Sequence, residues 1–173
     1  MTPISQTPPQ PGTPPPTWRA RLWRHQEWFW WALLLTVLVY MQWPMLRGYY
    51  FKVSGAIAPP TAIAWHTDIA AALAESKKLN RPVLLDAGAD WCPPCITMKH
   101  DVWPDPEVTR LVGAGYIPLL IDVDRQPAIA SRYDIATIPA VMLLDSDGAV
   151  LRRAGYLPRA GMVRFLTDAT WDD

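Results

Sequence analysis

Hydrophobic and polar positions divide the chain into three zones, of which the first is a proline-rich N-terminus. Residues 1–17 hold seven prolines and no charged side chain. Such a segment cannot bury enough apolar surface to offset the entropy lost on ordering. We therefore predict that 1–17 is a disordered tail, partly in the polyproline II conformation. Its PxxP spacings arise by chance in any proline-rich stretch, so we favour a solvated tail over a docking peptide.

The second zone is a continuous apolar run over residues 28–46. It has no formal charge between Glu27 and Arg47. A helix of this length would be roughly 28 Å long, close to the hydrocarbon thickness of a bilayer. Aromatic residues at both ends of the run are typical of the belts at lipid–water interfaces. We predict a single transmembrane anchor at 28–46 and prefer it to a buried core helix.

The charges that flank the apolar run predict its orientation. Three arginines lie in the basic juxtamembrane segment 18–27, whereas Arg47 and Lys52 follow the run. By the positive-inside rule the N-terminus stays in the cytoplasm and the rest is exported. A cleaved signal peptide is the alternative, because Ala56-Ile57-Ala58 has the small-x-small form. We favour an uncleaved anchor, since Pro59 follows that site and the apolar run is longer than a usual signal core.

The third zone is a globular domain at 61–173, reached through a linker at 47–60 that we expect to be extended from residue 48 onward. Short apolar runs alternate there with amphipathic stretches. The predicted elements are a helix at 68–80 capped by Thr67, a strand at 83–87, a helix at 92–100, a helix from 105 closed by Gly113 or Gly115, a strand at 116–123, a helix at 127–133, strands at 141–144 and 149–153, and a helix from 158 that includes Ala169. Asp145-Ser146-Asp147-Gly148 predicts a hairpin turn. The order indicates an α/β fold, a central mixed sheet flanked by helices.

Charge separates the zones further. Lysine plus arginine equals aspartate plus glutamate at 16 each over the whole chain. Residues 1–60 carry five basic and one acidic side chain, and the predicted domain carries 11 basic and 15 acidic ones. This balance excludes a chain-wide basic surface, so we predict no nucleic-acid partner.

The residues that suggest chemistry form the motif Trp91-Cys92-Pro93-Pro94-Cys95, which holds both cysteines of the chain. It lies where a helix is predicted to begin, and free N–H groups and the helix dipole stabilise a thiolate on Cys92 there. Cys95, one turn later, can attack a mixed disulfide on Cys92 and release the product. Pro93 and Pro94 supply no N–H, so the Cys95 N–H is the main donor. We expect the pKa of the Cys92 thiol to be moderately lowered.

Two other uses of the cysteine pair are less favoured. A structural disulfide across so short a loop would constrain the unfolded chain very little. A zinc site needs four ligands, and His100 is the only histidine near the pair in sequence. We predict that the protein uses neither a metal nor a cofactor.

Residues 83–95, an apolar strand followed by WCPPC, resemble the active-site strand and loop of the thioredoxin family. Ile138-Pro139, followed by an apolar strand and a D-x-D-G turn, is similar to the cis-proline loop and hairpin of that family. The stretch 95–108 most resembles the C-terminal domain of membrane thiol:disulfide interchange proteins of the DsbD type. The resemblance covers roughly 61–173 and implies a thioredoxin-like fold.

This resemblance implies roles for single residues. Cys92 corresponds to the nucleophile and Cys95 to the resolving thiol, and the two form the redox disulfide. Asp86 corresponds to a buried carboxylate that moves protons for the resolving cysteine. Its position at the end of an apolar strand agrees, because burial there raises the pKa of a carboxyl group. The alternative is a strand-end carboxylate that reaches solvent.

Three further residues correspond to the substrate-binding surface of the family. Trp91 flanks the cysteines, where it either contacts substrate or simply packs. Pro139 is expected to be cis, and Ile138 before it would offer its backbone to an extended substrate strand.

The sequence also departs from the thioredoxin pattern. Pro93-Pro94 replaces the usual Gly-Pro, and the strand at 116–123 has no lysine to pair with Asp86. No histidine lies between the cysteines, although strongly oxidising relatives typically have one. That difference favours a reductant.

Together these features predict a membrane-anchored thiol–disulfide oxidoreductase on the periplasmic side of a bacterial-type inner membrane. Its expected partners are exported proteins that contain disulfides, and a separate multi-span thiol transporter that supplies electrons. A disulfide oxidase or isomerase with the same cysteines is one alternative. A metal-delivery or binding module that uses the two thiols is another.

Overall fold

A computed structural model describes the chain over residues 18–168, with side chains from residue 28 onward. The predicted tail at 1–17 lies outside the described residues, as does Ala169. The described elements are α1 (Trp18–Ser54), α2 (Ile69–Leu79), β1 (Val83–Gly88), α3 (Pro93–Asp101), α4 (Pro106–Gly115), β2 (Ile117–Asp122), α5 (Pro127–Arg132), β3 (Ala140–Leu144), β4 (Val150–Ala154) and α6 (Arg159–Thr167). Every helix and strand predicted for 61–168 is therefore confirmed, with shifts of one or two residues at the ends.

Helix α1 contains the apolar run and continues beyond it. Its stretch Trp28–Ser54 has the length and composition to cross a membrane, and its most apolar window is not buried. The prediction of an extended chain from residue 48 is wrong as far as Ser54, because this part is helical. The helix ends at Gly55, whose φ of 65° is a left-handed conformation that glycine adopts without strain.

The chain forms two compact units, which divide between Gln42 and Trp43. The first unit includes α1 up to the division. The second unit contains the last turns of α1 together with all the other elements. The end of the membrane-helix candidate thus belongs to the same compact unit as the globular domain.

The sheet has four strands in the order β2-β1-β3-β4. Strand β1 pairs in parallel with β2 and antiparallel with β3, and β3 pairs antiparallel with β4. The mixed sheet expected from the sequence is confirmed. Because Ala87 near the end of β1 pairs with Ala140 at the start of β3, the loops after β1 and before β3 lie at the same end of the strands.

Side chains alternate between the two faces of β1, and each face has its own core. Val83, Leu85 and Ala87 belong to a core that includes residues of α2, while Leu84 belongs to a core that includes residues of α3, α4 and α6. Asp86 shares the face of Leu84, since it lies two positions further on. The helix that begins after Cys92 therefore covers the face from which Asp86 projects.

The two ends of α2 differ slightly from those predicted from the sequence. Asp68, and not Thr67, is the N-cap of α2, and its carboxylate accepts a hydrogen bond from Ala70 N. A carboxylate at this position also complements the positive end of the helix dipole. The C-cap is Asn80 in the left-handed conformation, so the helix ends at Leu79, one residue before the predicted end at 80.

Candidate active site

The cysteine pair is built into the first turn of α3. Cys92 is the N-cap residue, and its Sγ accepts a hydrogen bond from Cys95 N at 3.3 Å. The two side chains form a disulfide, and the Cα atoms are 5.3 Å apart. Cys92 is 2% exposed and Cys95 is 5% exposed. The motif therefore has the geometry expected for a nucleophile whose thiolate would be held by a helix N-terminus.

Pro93 and Pro94 occupy the first two positions of α3. Neither has an N–H group, so the first turn offers the amide of Cys95 as its donor to Cys92. An N-cap side chain accepts from the second or third residue of a helix, and in this helix only the third has a hydrogen to give. The prediction that Cys95 N–H is the donor to Cys92 is confirmed.

Gly88, the last residue of β1, permits the close approach of the strand to the cysteines. A Cβ atom added at Gly88 would lie 3.3 Å from both Cβ and Sγ of Cys95. That distance is shorter than most contacts of a real Cβ atom, so any side chain at Gly88 would push against Cys95. This contact links the strand carrying Asp86 directly to Cys95.

Asp86 is buried, with 6% of its surface exposed. Burial raises the pKa of the Asp86 carboxyl to about 7, because the charged form loses its hydration. The Trp103 indole and the Lys99 ammonium partly oppose this effect and favour the charged form. The alternative of a strand-end carboxylate in solvent is therefore wrong, and Asp86 can change its protonation state near neutral pH.

A cavity of about 360 Å³ joins Asp86 and Cys95 to a polar rim. Lys99 lies on that rim, and its Nζ donates to Asp90 Oδ1 at 2.9 Å. The Lys99 ammonium lowers the pKa of the Asp90 carboxyl, which is largely exposed. The cavity gives water and protons a route between the solvent and the buried carboxyl.

The loop before β3 lies at the same end of the strands as the cysteine pair. The Ile138–Pro139 peptide bond is cis, as expected. Pro139 directly precedes Ala140, the partner of Ala87 in β1, so the sheet register holds the proline beside the end of the active-site strand.

Trp91 is 56% exposed next to Cys92. Its Nε1 donates to Asp124 Oδ2 at 2.8 Å, and this bond holds the indole over the turn that follows β2.

Sequence reasoning did not find two residues that act on Asp86. One is Lys99 on α3, whose positive charge lowers the pKa of Asp86. Strand β2 has no lysine that could do so. The signal for Lys99 in the sequence was the spacing of four residues from Cys95, which puts it on the same side of the helix. Trp103 is 3% exposed, and its indole nitrogen has no hydrogen-bond partner of normal geometry within the described part of the chain.

Metal ligands do not cluster in the described region. Among residues 18–168, the structure brings together no group of three or more histidine, cysteine, aspartate or glutamate side chains that could hold an ion.

A disulfide at a helix N-terminus, with a buried carboxyl and a cis-proline loop at the same end of a four-stranded mixed sheet, defines the class of thioredoxin-like disulfide oxidoreductases. Comparison with known proteins agrees, because residues 64–146 match the family described as Thioredoxin-like. Thioredoxin 1 of Chlorobaculum tepidum is 35% identical over 80 residues, which cover 44% of this chain and 73% of the relative. The chain belongs to the thioredoxin family.

Two other similar proteins come from the Dsb group. Thiol:disulfide interchange protein DsbD 1 of Pseudomonas aeruginosa is 34% identical over 106 residues, which cover 57% of this chain and 18% of that protein. The C-terminal domain of Neisseria meningitidis DsbD in the oxidised form superposes with a TM-score of 0.52 and 26% identity, covering 62% of this chain and all of that domain. The resemblance to DsbD-type domains expected from residues 95–108 is thus supported over the whole fold.

Proposed function

We propose that this protein is a membrane-anchored reductase of disulfides in exported proteins. The direction of electron transfer is inferred from the small number of N–H donors in the first turn of α3. Pro93 and Pro94 have no N–H, so Cys95 N is the donor that reaches Cys92 Sγ. A thiolate with few donors is stabilised less, so the reduced form is less favoured and the pair is a better electron donor.

The proposed reaction uses Cys92, Cys95 and Asp86. The Cys92 thiolate attacks one sulfur of a substrate disulfide, and the other sulfur leaves as a thiolate that takes up a proton. Asp86 accepts the Cys95 proton, and the Cys95 thiolate attacks Cys92 Sγ in the mixed disulfide. The second substrate thiol is released, and two electrons have moved to the substrate. The enzyme ends with the Cys92–Cys95 disulfide, the state seen here.

Substrate binding is proposed at the surface around the cysteines. Trp91 is exposed beside Cys92, and Ile138 precedes the cis-proline next to the end of β1. An extended substrate strand could pair with the Ile138 backbone, as peptides do when they add to a sheet edge.

The anchor and the electron source complete the proposal. We assign the apolar run at 28–46 to a single membrane span, with the N-terminus in the cytoplasm and the globular domain in the periplasm. A cytoplasmic reductant cannot reach Cys92 in this arrangement, so a separate multi-span thiol transporter re-reduces the protein. Similarity to a segment of DsbD supports a partner of the thiol:disulfide interchange type.

A glutathione redox titration tests the direction. The full chain in detergent is equilibrated at fixed ratios of reduced to oxidised glutathione, and free thiols are counted by alkylation. A reduction potential near roughly −270 mV, the value of thioredoxin, supports a reductase. A potential near roughly −120 mV, the value of a strong oxidant, would contradict it and favour the oxidase.

Trapping tests the partners. A Cys95→Ala variant retains the nucleophile but cannot resolve mixed disulfides, so complexes with substrates and with the electron donor should accumulate. Cys92→Ala is the matched control and should trap neither. If Cys95→Ala shows no mixed disulfide with any membrane protein, the transporter proposal fails.

A further inference from the structure

The end of α1 is docked along one face of α3. We call residues Pro44–Phe51 the docking segment. Within it, Gly48 is buried, and its backbone lies so close to α3 that a Cβ atom added there would overlap the Pro93 carbonyl. Two backbones can approach in this way only where one residue is glycine. The docking segment therefore presses on the residue that directly follows Cys92.

Three more contacts continue along α3 to its last residue. They are a hydrogen bond of 2.7 Å from Thr97 Oγ1 to Pro44 O, a hydrogen bond of 2.9 Å from Arg47 Nη2 to Asp101 Oδ1, and a parallel stack of Phe51 on His100 with ring centroids 3.9 Å apart. A backbone contact, a hydroxyl bond, an ion pair and a ring stack thus hold one helix against the other.

Thr97 ties the docking segment to the same peptide that Gly48 touches. Its side chain is buried, and its Oγ1 lies 3.2 Å from Pro93 O as well as 2.7 Å from Pro44 O. The Pro93 carbonyl is consequently enclosed by Gly48 on one side and by the Thr97 hydroxyl on the other. Any movement of the docking segment would change the packing of the first turn of α3.

We propose that the docking segment is a positioning element of the active site, which holds the Pro93 peptide and so fixes the first turn of α3 in the geometry where Cys95 N–H donates to Cys92 Sγ. That amide stabilises the Cys92 thiolate once the disulfide is reduced. Loosening the segment weakens the donor, so the thiolate becomes less stable and attacks disulfides more slowly at neutral pH. The inference rests on the thiol–disulfide exchange of the family and holds for either direction of that exchange.

The test measures the alkylation rate of Cys92 against pH, with the reduced full chain in detergent and Cys95 replaced by alanine in every variant. The midpoint of the profile reports the pKa of the Cys92 thiol, and the plateau at high pH reports its accessibility. Gly48→Ala forces the helices apart and should raise the midpoint by about half a unit or more, a roughly threefold loss of thiolate at a pH below the midpoint. Gly113→Ala, a helical glycine with open space around its Cβ position, should leave the midpoint unchanged.

A charge exchange keeps the test decisive if Gly48→Ala fails to fold. Arg47→Glu places two carboxylates together and should raise the midpoint, and adding Asp101→Arg should return it to the starting value. Melting temperatures well above the assay temperature in all these variants would show that the shifted midpoint does not come from general unfolding. Unchanged midpoints in Gly48→Ala and Arg47→Glu, with lowered melting temperatures, would overturn the proposal and leave the segment a purely mechanical support.

Discussion

Asp86 is an ionisable side chain in an environment very different from water. The alternation of β1 places it under α3, beside the core, and its pKa rises to about 7. Its burial could be predicted from the sequence, because the residues around it form an apolar strand. The contribution of Trp103, which opposes the rise, could not be predicted, since Trp103 lies 17 residues away and reaches Asp86 only through the packing of the loop after α3.

The raised pKa of Asp86 makes stability depend on pH. An acid whose pKa is higher in the folded state binds more protons there, so its contribution is fully present below pH 4 and is lost as pH rises toward 7. A difference from the ordinary value of 3.8 to about 7 corresponds to roughly 4 kcal/mol at most. Urea unfolding of Asp86→Asn should show a free energy of unfolding that no longer falls across this range.

Asp90→Asn is the matched control for that experiment, since Asp90 is exposed and its pKa is lowered, not raised. Its profile should keep the decline between pH 4 and 7. A decline of equal size in Asp86→Asn would show that another group is responsible.

Trp103 offers a second test at the same carboxyl. Trp103→Phe keeps the aromatic packing but removes the indole N–H that favours the charged form, so the pKa of Asp86 should rise further above 7. Infrared titration of the carboxyl band would measure it. Trp65→Phe, which changes the ring packed edge-on against Trp103 at 5.1 Å, should leave the pKa where it is. Equal shifts in both variants would assign the effect to packing.

At the scale of elements, the helices of the domain follow local rules. Asp105 caps α4 by accepting from Glu107 N and Val108 N, and Pro106 opens the helix, as the sequence indicates. The last turns of α1 follow no such rule. Gly48 and the two tyrosines after it are weak helix formers, so local propensity does not predict the helix that continues from residue 48 to Ser54. Contacts with residues about 50 positions later stabilise this part of the helix, and no local sequence pattern predicts them.

The first turn of α3 yields a prediction about the donor count. Pro94→Ala restores an N–H at the second position of the helix, where it can reach Cys92 Sγ. A hydrogen bond to a charged group is worth about 1.5–3 kcal/mol, so the pKa of the Cys92 thiol should fall by about one unit or more. The reduction potential should become less negative in the same glutathione titration.

Pro106→Ala, a proline-to-alanine change in the first turn of α4, is the control and should alter neither quantity. If Pro94→Ala also leaves both unchanged, the restored amide does not reach the sulfur. The small number of N–H donors in the first turn of α3 would then give no support to a reducing direction.

At the scale of the whole molecule, the chain combines an apolar helix with an oxidoreductase domain, and the two compact units divide at Trp43. The length of the apolar run and its aromatic ends were visible in the sequence. The place where the second unit begins was not, because it depends on packing between distant segments. The predicted linker boundary at residue 47 remains a sequence-based assignment.

The proposed membrane topology has a direct test. With both native cysteines replaced by serine, single cysteines are placed at Thr7 in the tail and at Asp147, whose side chain is 80% exposed. A membrane-impermeant maleimide added to cells with a permeabilised outer membrane should label the Asp147→Cys variant and not the Thr7→Cys variant. Labelling of the tail alone would reverse the proposed orientation, and labelling of both would argue against a spanning helix.

The two outer strands of the sheet are protected from pairing with a further strand in different ways. On the outer side of β2, His66 forms a single-residue bridge, with hydrogen bonds of 2.9 Å from His66 N to Pro118 O and from Leu120 N to His66 O. The opposite edge is β4, where exposed Arg152 and Arg153 are tied by their guanidinium groups to carbonyls of Phe165 and Tyr133. Paired backbone on one side and fixed positive charge on the other are the means by which β-proteins avoid edge-to-edge aggregation. A protein whose neighbours are crowded beside it on a surface gains colloidal stability from this protection.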